Sequence, residues 1–178
     1  MKTRMIAGLV AVGLAATAAA QEAPFGTDTE AAYAADLWTV MDSMNLVGAD
    51  MVRSFPYDGI DPHGKMLETF YTRATVNGHT GTLVVKRNYG PEGVTVDQVL
   101  NDPEKHLGAF TVMCRREIGD DEDNQNGFWA KYLPDGSLDK NPKGMRLAGR
   151  VAKGADTGCI ACHSSEADYI FTTDAITD

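Results

Sequence analysis

The apolar positions change their period along the chain. Between residues 27 and 48, Ala34, Leu37, Trp38, Met41 and Met44 recur every three or four places, which predicts an amphipathic helix with a core-facing stripe. Thr27 and Glu30 have the spacing of a capping box at its start, and Gly48 closes it. From residue 66 the period shortens. "MLETFYTRATV" and "TGTLVVKRNY" are rich in Thr, aromatic and β-branched residues and flank Asn77-Gly78, the signature of a hairpin. "LGAFTVMCRREI" and "GFWAKYL" predict two further strands, the second closed by the turn "PDGS". A short helix is expected over "TVDQVLNDPEKH", where Thr95 and Gln98 repeat the capping-box spacing.

Three stretches carry no period. Residues 53–65 (RSFPYDGIDPHGK) read as a loop, "GDDEDNQN" as a solvated acidic loop, and "DKNPKGMRLAGRVAKGADTG" as a loop with a helical turn. The sum is an α+β fold: mainly antiparallel sheet, packed with an N-terminal helix and followed by a C-terminal site segment. The run "LVVKRN" resists a reading of its faces. Leu83, Val85 and Arg87 share one side and Val84, Lys86 and Asn88 the other, and neither is cleanly apolar.

The first residues change the picture of where the chain works. Lys2 and Arg4 precede an apolar run from Met5 to Ala16, and Ala18 and Ala20 fit a cleavage site. That is the pattern of a secretory signal peptide over residues 1–20, with an apolar run too short to span a bilayer. Residues 21–178, about 158 of the 178, are then expected as a single exported, periplasmic domain with no membrane span. Loss of Lys2 and Arg4 takes the formal charge from -9 to -11. Such an acidic surface argues against nucleic acid and anionic membranes as partners and permits a basic protein partner.

The chemistry concentrates in "GADTGCIACHSSEADYIF". Cys159, Cys162 and His163 spell C-x-x-C-H, the attachment pattern of a c-type haem. Two cysteines three apart on a helical turn point to the same side and match the two vinyl groups on a haem edge. The histidine next to them falls under the iron. One covalent haem c is therefore expected, with Cys159 and Cys162 as anchors and His163 as metal ligand. A thioredoxin-like pair would sit at a helix start near a βαβ pattern, and a zinc site would want a second ligand pair. Cys114 is expected as a small buried strand residue. His63, His79 and His106 are single and lie near turns, so they read as surface residues. No Met, His or Lys follows His163, which leaves Met66, Met113 and Met145 as upstream sixth ligands. An open or weakly occupied sixth site is the expectation.

With "MLETFYTRA", "GTLVVKRN", "GFWAKYL" and the late "TGCIACHSSEADYIFT", the chain resembles the cytochrome P-460 and cytochrome c′-beta family across most of residues 66–173. Outside the haem pentapeptide the motifs are loose. The resemblance implies a twisted antiparallel sheet packed on helices, a haem lying against it, and a distal side open to nitric oxide and similar ligands. In the P-460 branch a strand lysine is bonded to the haem ring and hydroxylamine is oxidised; in the c′-beta branch aromatic residues cap the distal pocket. Lys86 falls where the cross-linking lysine would be. Glu68 falls at the position of the branch's distal arginine, and no acid stands near Met113 or Cys114 where its distal carboxylate would be. Lys86 and Glu68 are thus the candidate catalytic pair, with Glu68 as a substitute base. Phe70, Tyr71, Phe110, Phe128 and Trp129 are either an apolar cap or sheet core. The expected partners are a small gaseous or nitrogenous ligand and a redox partner protein, with a homodimer left open. Two readings stand: a hydroxylamine-oxidising enzyme, or a non-catalytic gas-binding or electron-carrying cytochrome. A six-coordinate electron-transfer cytochrome c is the alternative to both.

Overall fold

The computed structural model describes residues 25–172, so the signal peptide expected over residues 1–20 lies outside the described residues. Helix α1 spans Asp28–Ser43. The Thr27 hydroxyl accepts from the Glu30 backbone N–H at 3.2 Å and Glu30 reaches back to the Thr27 N–H, so the expected capping box forms. Ala34, Leu37 and Met41 are fully buried, which makes the stripe core packing.

Strands β1 (Tyr57–Asp58), β2 (Met66–Val76) and β3 (His79–Tyr89) come next. Asn77 and Gly78 both take positive φ, 49° and 85°, the backbone a two-residue type I′ hairpin turn demands. Two short helices, α2 (Val96–Asn101) and α3 (Pro103–His106), lead into β4 (Leu107–Arg115). Strands β5 (Gly127–Tyr132) and β6 (Ala148–Gly149) follow, and a single helical turn, α4 (Cys159–His163), ends the described elements. Every neighbouring pair is antiparallel and the order is β1-β2-β3-β4-β5-β6. The fold is therefore α+β, a six-stranded antiparallel meander with a few helices. The edge strands β1 and β6 lie in stretches that read as loops, because two residues are too few to show alternation.

Both faces of β3 are covered. On one, Leu83 and Val85 pack with Leu37 and Met41 of α1 and with Phe110, Phe128 and Tyr132. The Tyr132 hydroxyl donates to the Ala34 carbonyl at 2.8 Å and ties the sheet to the helix. Cys114 is buried on this side with its Sγ 3.9 Å from the Tyr33 hydroxyl, and burial pushes its thiol pKa up. On the other face, Val84, Met113 and Trp129 pack with Phe25, Val151 and Ile160. At Gly81 a Cβ would collide with the Arg115 carbonyl oxygen, so the close approach of β3 to β4 there requires glycine.

The acidic stretch is not simply solvated. It contains a 3-10 turn at Glu122–Asn124, and Asp121 and Asn124 are buried. The Asp121 carboxylate pairs with Arg150 at 3.6 Å and with Lys153. This clamp holds the segment that approaches the cysteines. Those basic partners lie about 30 residues downstream, which is why local sequence does not show them.

Candidate functional site

The site is built on α4. Gly158 enters it at φ 122°, and a Cβ there would run into the side chain of Ala152, so glycine is needed for the turn. One helical turn then puts Cys159 and Cys162, three apart, on the same side. Both thiols are free, and burial pushes the Cys159 pKa up.

His163 is 8% exposed, and its ring packs against Trp129 (centroids 4.8 Å apart) and Phe171 (5.1 Å). Its Nδ1 lies 2.7 Å from the Tyr169 carbonyl oxygen. A carbonyl only accepts, so Nδ1 carries the proton and Nε2 presents its lone pair. This is the arrangement that orients metal-binding histidines. Burial pushes the His163 pKa down and Lys86 adds to that, against the Tyr169 hydrogen bond, so the ring is neutral at neutral pH. The carbonyl is itself held in place. Arg115 donates to the Asp168 carbonyl, Gln125 to the Ala167 carbonyl, and the Tyr71 hydroxyl to the Phe171 carbonyl at 2.7 Å.

A cavity of about 670 Å³ opens between α4 and the sheet face that carries Val84, Met113 and Trp129. Cys159, Cys162 and His163 line it, as do Lys86, His63, Thr111 and Lys131. A covalently held haem fits this set on three counts. The volume lies within the roughly 300–1,000 Å³ of cofactor and ligand sites. The walls are mainly apolar. The two thiols and one free imidazole nitrogen stand on a single turn at its edge. Among the described residues no three His, Cys, Asp or Glu side chains converge as a bare metal site. A haem iron needs only one protein nitrogen from such a turn, because the macrocycle supplies the rest.

Lys86 is brought to the same cavity. It is 7% exposed, and burial lowers its pKa, with Cys162 opposing. Among the described residues no carboxylate pairs with it. Its Nζ lies 5.8 Å from the Phe171 ring centroid.

Glu68 is not brought there, and the expectation that it is a base beside the ligand is corrected. Glu68 pairs across the hairpin with Arg87, while Thr69 pairs with Lys86, so the pleat sends Glu68 to the face opposite Lys86. Its carboxylate is fully buried and already accepts from Arg53 Nε (2.9 Å), Arg87 (3.0 Å) and Tyr89 (2.6 Å). The role is structural. Arg87 also donates to the carbonyls of Leu46 and Val52, which fastens the chain after α1 to the sheet.

The other expectations divide in the same way. Phe110 and Phe128 belong to the α1 side, Phe70 stacks on Arg87 at 4.4 Å, and Tyr71 is exposed. Of the five aromatics, Trp129 alone lines the cavity. Met113 lines it too, whereas Met66 packs with Tyr89, Val94 and Val99 elsewhere. Met145 packs against the apolar cluster that contains Val84, Met113 and Trp129 but does not itself line the cavity. His63 was expected at the surface; it is instead a half-buried wall of the cavity. Comparison with family models, curated proteins and solved structures finds no match to this chain.

Proposed function

We propose that the protein is an exported, periplasmic mono-haem c-type cytochrome of the cytochrome P-460 and cytochrome c′-beta kind, which binds or redox-processes a small nitrogen species such as nitric oxide or hydroxylamine. The observation that carries the reading is the convergence of Cys159, Cys162 and the free Nε2 of His163 on one apolar cavity of about 670 Å³. When bound, the haem would supply one-electron chemistry and an iron that takes small ligands.

The chain's own residues have definite tasks in this reading. Cys159 and Cys162 anchor the haem edge through thioethers. His163 ligates the iron through Nε2, with Tyr169 fixing its ring. Val84, Met113 and Trp129 keep water from that face. Lys86 offers a buried hydrogen-bond donor to an oxygen-bearing ligand. Among the described residues no carboxylate lines the cavity, and oxidising hydroxylamine releases protons that such a base would take. Ligand binding is therefore favoured over hydroxylamine oxidation, and Lys86 is read as not bonded to the ring.

The ferrous protein titrated with nitric oxide should show saturable binding at one equivalent. Its Soret band should lie at an ordinary position and stay there in Lys86→Ala. A strongly red-shifted ferrous band that disappears in Lys86→Ala would instead mean a ring bonded to Lys86 and hydroxylamine oxidation. A spectrum indifferent to nitric oxide would leave an electron shuttle.

A further inference from the structure

The expectation of an open or weakly occupied sixth site went with a reading of His63 as a surface residue, and the structure puts that residue beside His163. The two ring centroids are 6.0 Å apart with their planes at 84°. We infer that His63 is a second axial ligand to the haem iron, displaced when a small ligand binds; the inference rests on the haem reading above.

The spacing is the first reason. Imidazole–metal bonds in proteins run about 2.0–2.1 Å, and with about 1.1 Å from each nitrogen to its ring centre, two rings trans on one metal sit about 6.3 Å apart. The observed separation is within a few tenths of that. Each ring plane can rotate about its own metal–nitrogen bond, so perpendicular planes are compatible with shared coordination.

The free ring nitrogens are the second reason. His63 Nδ1 lies 3.0 Å from Thr111 Oγ1, and His63 Nε2 has no hydrogen-bond partner among the described residues. The same pattern holds for His163 with the Tyr169 carbonyl. Both imidazoles thus have Nδ1 tied to an oxygen and Nε2 free, as iron-binding histidines do.

The third reason is that His63 is held in place. Its loop closes through Gly59 N–H to the Lys65 carbonyl and Lys65 N–H to the Tyr89 carbonyl, both at 2.9 Å, and through His63 N–H to the Ile60 carbonyl at 2.9 Å. Gly64 takes φ 100°, and a Cβ there would lie 2.9 Å from the Tyr89 oxygen. The loop therefore presents His63 to the cavity from a fixed backbone. A ligand from a short loop, rather than from the sheet, can be displaced without disturbing the strands.

The test uses the haem-loaded protein and its intact mass. Ferric wild-type protein at neutral pH should give a low-spin spectrum of the bis-imidazole kind by absorption and electron paramagnetic resonance. His63→Ala and His63→Gln should become high-spin, and millimolar imidazole should restore the low-spin signal to His63→Ala. Removing a ligand that occupies the iron raises the competent fraction, so nitric oxide affinity should rise roughly tenfold if His63 holds the iron about nine-tenths of the time. His79→Ala and His106→Ala, at histidines that do not line the cavity, should keep the wild-type signal. A haem-bearing wild type that is already high-spin, or a low-spin signal that survives both His63 variants, would overturn the inference while leaving the haem reading intact. Protein that never acquires haem would overturn both.

Discussion

Glu68→Gln should lower the unfolding free energy by about 3–5 kcal/mol, the usual cost of breaking a buried ion pair from one side. The carboxylate has no exposure and serves Arg53, Arg87 and Tyr89 at once. An amide would leave the fully buried Arg87 without a counter-charge and would turn an N–H towards one of its donors. Urea unfolding of haem-loaded wild type and variant measures the effect, read from midpoints at a common slope. The spectrum of the folded variant should be that of the wild type, since the residue lies on the face away from the cavity. A change in ligand binding with little loss of stability would return Glu68 to the site. Replacing Glu68 and Arg87 together by apolar residues should cost less than the sum of the single changes, because no charge is left stranded.

His163→Ala should have the largest effect on the iron. Thioether attachment and iron ligation are separate links, so haem should stay on the chain while the wild-type absorption spectrum is lost altogether. Exogenous imidazole should restore part of it, because the Trp129 and Phe171 walls of the vacated pocket remain. An unchanged spectrum in the variant would exclude His163 as a ligand. Loss of haem from the chain would mean instead that the histidine is needed for attachment.

The elements with local signatures were legible. Thr27 with Glu30, Thr95 with Gln98, and Asn77-Gly78 each settle their geometry within a few residues, and the structure forms both boxes and the hairpin. The Cys159-Cys162-His163 turn is local in the same sense. The faces of β3 were not legible, for a physical reason. Both sides of the strand are buried, and each carries one cation that serves a different end. Arg87 answers Glu68 on the helix side, and Lys86 enters the cavity on the other. Alternation marks a solvent side, and here there is none to find.

His63 was missed because it sits alone among Asp61, Pro62 and Gly64, where composition says only turn. What gives it a place is Thr111, 48 residues away on β4, and the register that carries Thr111 beside Lys86. Glu68 was misplaced by the opposite error. A local match gave it a role, while the one-residue offset between Glu68↔Arg87 and Thr69↔Lys86 puts it on the wrong side of the sheet for that role.

The central claim is that Cys159 and Cys162 hold a haem covalently, and intact mass after acid-acetone extraction tests it most directly. The protein should be expressed through a pathway that exports it and attaches haem, then stripped of non-covalent pigment. The account predicts a chain that keeps one haem's added mass through extraction, and a Cys159→Ser, Cys162→Ser variant that keeps none. Wild-type chain recovered at its bare mass, with the pigment in the solvent or never present, would contradict it.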